Sequence, residues 1–218
     1  SERLRSWLAA DGRLVIVCGS THAPEELWLA QRLRGVEQRR GIRMRVILVP
    51  RHPERTSNVV DGLKSHGLRS ALWSRQDSDD LSELVDDAIV VVDAIGHLEN
   101  FYGACDVAFV GGSLIPHGGQ NMLEPAALGK AVLFGPHVHN FRMDVHQLLR
   151  ADAAWQASGL DDLEQKLEEL LADSELRSGL GERAVALIRS NQGSTDRTLE
   201  ELVGMLDRLS AEPAKAPA

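Results

Sequence analysis

Short apolar runs alternate with segments of helical periodicity along the first three quarters of the chain. Most runs are continuous and rich in Val and Ile, as is typical of strands buried on both faces of a parallel sheet. Their alternation with helices indicates βαβ units, so the pattern predicts an α/β fold with a Rossmann-like parallel sheet and helices on both faces. The predicted strands are Leu14–Cys18, Arg45–Val49, Ser70–Trp73, Ala88–Val92, Val107–Val110, Ala131–Phe134 and Ala153–Gln156. The predicted intervening helices are Glu25–Arg40, Ser57–His66, His97–Ala104, Leu123–Gly129 and Phe141–Arg150.

The last part of the chain has a helical pattern only. A leucine-rich face predicts one helix that begins at Leu160, and two more are predicted at Ser174–Ser190 and Ser194–Ser210. The tail that follows is rich in Ala and Pro, which is typical of disorder. We therefore expect a single domain over residues 1–210 and a disordered tail over residues 211–218.

Composition narrows the classes of function. The 24 Lys and Arg residues against 32 Asp and Glu residues give a formal net charge of -8. A general nucleic-acid binder needs a basic face, so this balance argues against one. No apolar run approaches the about 20 residues that cross a bilayer, and no signal peptide is recognisable. Two cysteines do not form a disulfide framework and fit a reducing compartment.

Ligands of open α/β sheets bind beyond the carboxyl ends of the strands, so the loops at those ends are the candidate site. The first such loop offers the hydroxyl groups of Ser20 and Thr21. Pro24 and the two glutamates after it suit the first turn of a helix. A well-capped helix start and a loop that contacts a ligand both remain open for this segment.

The second loop begins with Pro50 and Arg51, and its two prolines stiffen it. A guanidinium offers paired donors of fixed geometry, so Arg51 suits a phosphate or a carboxylate. For Arg55 we expect a surface ion pair with Glu54.

The third loop contains Ile95, Gly96 and His97 and opens a helix. Gly96 allows a ligand to approach the backbone, and the helix start can receive an anion or a base edge. His97 on its own is more typical of an exposed capping residue than of a catalyst.

The fourth loop carries two glycine pairs, at Gly111–Gly112 and Gly118–Gly119. Such a backbone suits close wrapping around a ligand, although neither the P-loop nor the G-x-G-x-x-G pattern is present. Asn121 and Glu124 have the spacing of a helix capping box. If Pro125 is the first helical residue, Glu124 instead lies at the helix mouth with a carboxylate free to accept hydrogen bonds from ribose hydroxyls, and we favour this interpretation.

The fifth loop contains His137 and His139, two positions apart. A metal site would need a third ligand of clear spacing, which the sequence lacks. A loop that contacts substrate, with Asn140 capping the next helix, is the better interpretation.

Taken in order, these segments resemble the bacterial transferases of 3-deoxy-D-manno-octulosonic acid (Kdo) that act in lipopolysaccharide assembly. The resemblance runs through nearly the whole chain. Its segments are Ser20–His22, Pro50–Arg55, Asp106–Ser113, Asn121–Gly129, Gly135–His137, Asn140–Phe141, Asn191–Gly193 and Arg197–Thr198.

The resemblance implies a GT-B glycosyltransferase, in which two Rossmann-like domains face each other across a cleft. The family is about twice as long as this chain, which resembles the C-terminal domain, the one that binds the donor CMP-Kdo. Pro50 and Arg51 would hold CMP. The predicted binding residues are Pro50, Arg51, Ile95, Gly96, His97, Gly112, Ser113, Gly119, Asn121, Met122, Leu123 and Glu124, with Ser20, Thr21 and His137 as further candidates.

The resemblance implies no catalytic residue in this chain, because the family's general base is a glutamate of the N-terminal domain. The resemblance also implies inverting transfer to a lipid A-type acceptor at the cytoplasmic face of the bacterial inner membrane. Contact with the membrane and the acceptor belongs to that other domain, so we expect this chain alone to be soluble and inactive. No metal or cofactor is expected.

Three positions depart from the family pattern. Gln120 stands where the family usually has His, His97 where it usually has Glu, and Pro24 where it tends to have Gly or another residue. These changes concern donor recognition more than the fold.

Three alternatives remain. The chain could be the GT-B domain for another donor, such as a UDP-sugar, because Glu124 would serve any ribose. It could also be a non-catalytic binding module, which the changes at Gln120 and His97 would suit. A complete small α/β enzyme is disfavoured, since no nucleophile and base stand out and no G-x-S-x-G motif is present.

Overall fold

A computed structural model describes residue 8 and residues 12–75 and 87–211, without side-chain detail at 75 and 193–211. It contains one seven-stranded parallel sheet in the order β3-β4-β2-β1-β5-β6-β7. The strands are β1 Leu14–Thr21, β2 Met44–Pro50, β3 Ser70–Leu72, β4 Ile89–Val91, β5 Val107–Val110, β6 Ala131–Phe134 and β7 Trp155–Gln156. The helices are α1 Glu25–Arg40, α2 Thr56–Ser65, α3 Leu98–Ala104, α4 Leu123–Ala127, α5 Arg142–Arg150, α6 Leu160–Ala172 and α7 Ser174–Ala211.

The strand order reverses direction between β1 and β5. From β1 the chain adds β2, passes to β3 at the edge, and places β4 between β2 and β3. It then returns to add β5, β6 and β7 on the other side of β1. Crevices at the carboxyl ends of strands beside such a reversal are where open α/β sheets bind ligands. The loops after β1 and β5 therefore occupy the place where a ligand is expected.

The predicted α/β fold is confirmed, and all seven predicted strands are present. The prediction of two final helices was wrong, because a single helix runs through Ser174–Ala211. The expected break at Asn191–Gly193 contains no proline. One glycine in a helix costs about 1 kcal/mol, which is too little to end it. Residues 212–218, most of the tail that we expect to be disordered, lie outside the described residues.

Apolar side chains cover both faces of the sheet. Along β1, Ile16 and Cys18 pack into the core on one face, whereas Val15 and Val17 pack into the core on the other. Successive residues of a strand point to opposite faces, so a run that is apolar throughout must be buried on both. Cys18 and Cys105 are buried free thiols.

Helix α7 approaches the loop after α4 unusually closely. A Cβ atom at Gly181 would overlap the carbonyl group of Gly129. Leu180 and Ala184, on either side of Gly181, are completely buried. The close approach therefore fixes α7 against the flank of the sheet. No helix in the described ranges is long and apolar enough to cross a membrane.

Candidate functional site

The end of β1 bends through a bulge at Ser20. Ser20 has φ of +51°, and the pairing of β1 with β2 shifts register between Gly19 and Thr21. Such bulges re-aim the chain at the edge of a sheet. Thr21 is completely buried, and its backbone carbonyl accepts a hydrogen bond from the backbone nitrogen of Arg51 at 2.9 Å. Its hydroxyl therefore lies beneath the surface, whereas Ser20 is partly exposed.

Glu25, the first residue of α1, is completely buried and reaches the glycine loop after β5. Its carboxylate accepts backbone hydrogen bonds from Gly112 at 2.7 Å, Ser113 at 3.0 Å and Leu114 at 2.9 Å, and from His22 at 2.9 Å. Burial raises the pKa of Glu25, and the four N–H donors oppose that rise. The residue predicted to serve the first turn of the helix therefore anchors a distant loop.

This anchoring decides what the glycine loop can offer a ligand. The N–H groups of Gly112, Ser113 and Leu114 already bind Glu25, so they are not available to a phosphate. The hydroxyl of Ser113 donates to Val110 at 2.5 Å and accepts from the backbone nitrogen of Gly135 at 2.8 Å. Gly112 and Ser113 are buried and form the floor of the site rather than its wall.

The second glycine pair lies where two loops press together. A Cβ at Gly118 would lie 2.5 Å from the side-chain nitrogen of Asn140, and one at Gly119 would lie 2.8 Å from Met122. Asn140 donates its side-chain amide to the carbonyl of His117 at 3.1 Å. The prediction that Asn140 caps the next helix was therefore wrong, because its amide is bound to the glycine loop and α5 has no side-chain cap.

Asn121 and Glu124 lie together at the start of α4. The side-chain oxygen of Asn121 accepts from the nitrogen of Leu123 at 3.0 Å, and its amide donates to Glu124 at 3.2 Å. The helix begins at Leu123, two residues before Pro125, so the expectation that Pro125 is the first helical residue was wrong. Asn121 does lie outside the helix, and the carboxylate of Glu124 is exposed. It remains open to a ligand.

The loop after β2 places Arg51 beside this edge with an exposed side chain. Among the described residues it forms no ion pair. Arg55 pairs with the buried Glu26 at 3.3 Å, not with Glu54 as predicted. Glu54 instead lies 3.3 Å from His52. Arg51 is therefore the guanidinium of this loop that is free to bind an anion.

The loop after β4 is open to solvent. Ile95 is 86% exposed, and Gly96 adopts a left-handed conformation with φ of +85°. His97 precedes α3 without a side-chain cap, and its ring lies edge-on to Trp73 at 6.4 Å. The exposed apolar side chain of Ile95 and the aromatic ring of His97 each suit contact with a flat base or sugar.

Three histidines from three loops meet above Gly112. The ring of His22 lies 4.1 Å from that of His117 and 5.7 Å from that of His52. Gln120 also contacts His22, at 3.1 Å between side-chain nitrogens. Burial, with His117, His52, Arg55 and Arg51 nearby, lowers the pKa of His22 to about 4. The sequence analysis missed this cluster, although each histidine follows a strand that ends at the same edge.

The loop after β6 joins this edge through the backbone. The nitrogen of His137 donates to the carbonyl of Ser113 at 2.9 Å, and His137 is half-buried. The loops after β2, β4, β5 and β6 thus all bring predicted residues to one edge of the sheet. No group of three His, Cys, Asp or Glu residues within the described ranges is placed to hold a metal ion.

The comparisons with known proteins point to one family of transferases. The chain is 33% identical over 199 residues to the 3-deoxy-D-manno-octulosonic acid transferase of Bordetella pertussis, which covers 90% of the chain and 46% of that protein. It is 36% identical over 164 residues to that of Haemophilus influenzae, covering 75% of the chain and 38% of that protein. The chain therefore spans less than half the length of these relatives. No family model matches it.

Solved structures give the same picture. The C-terminal CMP-Kdo binding domain of WaaA from Acinetobacter baumannii superposes with a TM-score of 0.76 and 29% identity, over 86% of this chain and 95% of that one. A glycosyltransferase from Rickettsia africae superposes with a TM-score of 0.62 over 97% of this chain and 52% of that one, at 15% identity. The second likeness concerns the fold alone.

Fold and site together define a Rossmann-like domain of the GT-B glycosyltransferase class. Within that class, the chain belongs to the 3-deoxy-D-manno-octulosonic acid transferase family and corresponds to its C-terminal domain.

Proposed function

We propose that this chain is the donor-binding domain of an enzyme that transfers Kdo from CMP-Kdo to a lipid A-type acceptor. The observation that supports this most is the match to a CMP-Kdo binding domain over 95% of its length. The predicted binding residues also converge on the edge where such sheets bind ligands. In this proposal, residues 1–210 form one domain.

In this proposal, Arg51 and Glu124 bind opposite parts of the nucleotide. The guanidinium of Arg51 is exposed and free of ion pairs among the described residues, so it neutralises the phosphate. The carboxylate of Glu124 accepts hydrogen bonds from ribose hydroxyls. Ile95, Gly96 and His97 line the pocket for the base.

The glycine loop has a supporting role in this arrangement. Its N–H groups at Gly112, Ser113 and Leu114 are held by Glu25, so they bind no phosphate oxygen directly. These hydrogen bonds to Glu25 instead fix the position of the loop that leads to Gly119 and Asn121.

In the whole enzyme, a hydroxyl of the acceptor attacks the anomeric carbon of Kdo while CMP departs with the bonding electrons. This chain contributes donor binding and stabilisation of the departing phosphate. The base that accepts the hydroxyl proton, and the surface that meets the acceptor and the cytoplasmic face of the inner membrane, belong to the other domain. The chain alone therefore transfers no Kdo.

Isothermal titration calorimetry of the chain with CMP, UDP and cytidine tests the proposal. We expect CMP to bind more tightly than UDP, and cytidine to bind least because it lacks the phosphate. Preference for UDP would assign the site to another donor. No heat from any of the three would contradict a nucleotide site in the isolated domain.

A further inference from the structure

The cluster of His22, His52 and His117 lies beside the proposed nucleotide site, and none of its three rings is among the groups proposed above to bind the nucleotide. The three rings come from the loops after β1, β2 and β5, which is the edge beside the reversal in strand order. His52 and His117 are exposed, whereas His22 lies half-buried beneath them. The cluster therefore has an open side toward the ligand crevice.

The charges around the cluster favour an anion. Arg51 and Arg55 both contribute positive potential at His22, and they come from the same loop as His52. Of the described carboxylates nearby, Glu26 pairs with Arg55, and Glu54 lies 3.3 Å from His52, where it offsets part of this positive potential at one ring of the cluster.

Glu25 completes the set of charged groups around His22. Its carboxylate accepts the backbone N–H of His22 and three N–H groups of the glycine loop, so it does not pair with the imidazole ring. Gln120, the remaining polar neighbour, is neutral. Within the described part of the chain, the ring of His22 thus has two histidines, two guanidiniums and an amide as neighbours, and no carboxylate is bonded to it.

Because Gly112 has no side chain, the rings of His22 and His117 can lie close to the backbone of the glycine loop. A Cβ at this position would lie 3.1 Å from His117 and 3.4 Å from His22, and φ at Gly112 is +65°. The loop that Glu25 anchors therefore sets the floor on which the histidines rest. The backbone of this loop and the side chains of His22 and His117 are therefore packed closely together.

We propose that His22, His52 and His117 form an oxyanion subsite of the donor pocket, in which an imidazole takes up a proton when the anion binds. The inference rests on the proposed function, because the anion is the phosphate of the nucleotide or the carboxylate of the sugar acid. An oxyanion placed among these rings offsets the mutual repulsion of their protonated forms. Binding therefore strengthens as the pH falls.

Histidine ring NMR of the full chain tests this directly. Each ring is titrated between about pH 3 and pH 8 in sodium chloride, in sodium sulfate of equal ionic strength, and with free Kdo. Sulfate represents the phosphate without titrating in this range, and free Kdo carries the carboxylate. The exposed His66, directly after α2, and His146, on α5, lie outside the cluster and serve as internal controls.

We expect an anion to raise the titration midpoint of His22 by about one pH unit or more, and to leave His66 and His146 unchanged. A response to sulfate alone assigns the subsite to the phosphate. A response to Kdo alone assigns it to the sugar carboxylate. If neither anion moves a cluster midpoint more than it moves the controls, the inference is overturned.

Sulfate affinity supplies a second readout. If the bound anion returns the pKa of His22 from about 4 to its ordinary range, sulfate binds roughly ten-fold more tightly at about pH 5.5 than at about pH 7.5. His22→Gln should remove this dependence and His146→Gln should keep it. His117→Gln, at an exposed position, should weaken sulfate binding and covers the case in which His22→Gln fails to fold.

Failure of this inference and failure of the proposed function give different results. A chain that binds CMP but shows no response of the cluster to sulfate or Kdo overturns the subsite and leaves the donor domain standing. A chain whose cluster binds sulfate but which does not bind CMP supports the oxyanion subsite and contradicts the nucleotide assignment.

Discussion

The carboxylate of Glu25 lies 2.7 Å from the backbone nitrogen of Gly112, although the two residues are 87 positions apart in the chain. The contact joins the start of α1 to the loop after β5, on the two sides of the reversal in strand order. A buried carboxylate that accepts four N–H groups acts as an internal anion. It holds the loop in the shape that presents His117, Gly119 and Asn121.

Replacing Glu25 with Gln should destabilise the fold. Gln keeps the size of the side chain, but its amide NH₂ group faces N–H donors that it cannot accept from. We expect the free energy of unfolding to fall by about 2–4 kcal/mol, measured by urea denaturation. The exposed Glu54→Gln should change it by no more than about 0.5 kcal/mol. Equal stability of the two variants would show that the loop keeps its conformation without the hydrogen bonds to Glu25.

A pair of glycines on α7 offers a matched test of the helix packing. Gly181→Ala places a methyl group against the backbone of Gly129, which cannot move aside, so we expect a loss of about 2–4 kcal/mol. Gly179→Ala meets only the flexible end of Arg183 at 3.0 Å and should gain up to about 1 kcal/mol in helix propensity. Thermal unfolding of both variants measures the difference. Similar melting temperatures would contradict the close approach.

The depressed pKa of His22 predicts how stability depends on pH. Burial and the neighbouring cations lower this pKa from 6.5 to about 4, so the unfolded chain binds the proton more readily than the folded one. Neutral His22 therefore makes its full contribution to the free energy of unfolding above pH 6.5, and this contribution is lost as the pH falls from 6.5 toward 4.

Denaturation of wild type and His22→Gln across that window measures the effect. The variant should lose stability less steeply on acidification than wild type, whereas His146→Gln should follow wild type. Parallel curves for all three proteins would show that His22 titrates normally.

Removing the carboxylate of Glu124 should affect ligand binding and leave the fold intact. The side chain is exposed, and in the proposed site it accepts hydrogen bonds from the ribose. We expect Glu124→Ala to weaken CMP binding by about ten-fold or more, with unfolding changed by less than about 0.5 kcal/mol. Glu175→Ala, at the exposed start of α7, is the control for both measurements. Unchanged CMP affinity would remove Glu124 from the site.

The strand pattern predicted the fold well because a sheet buried on both faces leaves a strong signal in the sequence. Val107–Val110 and Ala131–Phe134, for example, have the predicted bounds. Contacts between distant loops leave no such signal. Glu25 has the local signature of a helix start, and only the parallel alignment of β1 and β5 shows that it reaches Gly112.

The same limit applies to Asn140 and Arg55. Each has a plausible partner close in sequence, the next helix for Asn140 and Glu54 for Arg55. In the fold, both residues bind groups on other loops, His117 and Glu26. Sequence reasoning placed the candidate residues in loops that lie at one edge of the sheet, but pairings across that edge depend on tertiary structure.

The most direct test of the donor-domain assignment is amide NMR of the full chain titrated with CMP. We predict that the resonances that move belong to Arg51, to Gly96 and His97, and to the segment from Gly118 to Glu124, with a weaker response to UDP. The resonances of Lys64, in the last turn of α2, and of Arg69, directly before β3, should not shift, because both residues lie near the amino end of β3, away from the loops of the site. Shifts centred there instead, or none at saturating CMP, would contradict the assignment.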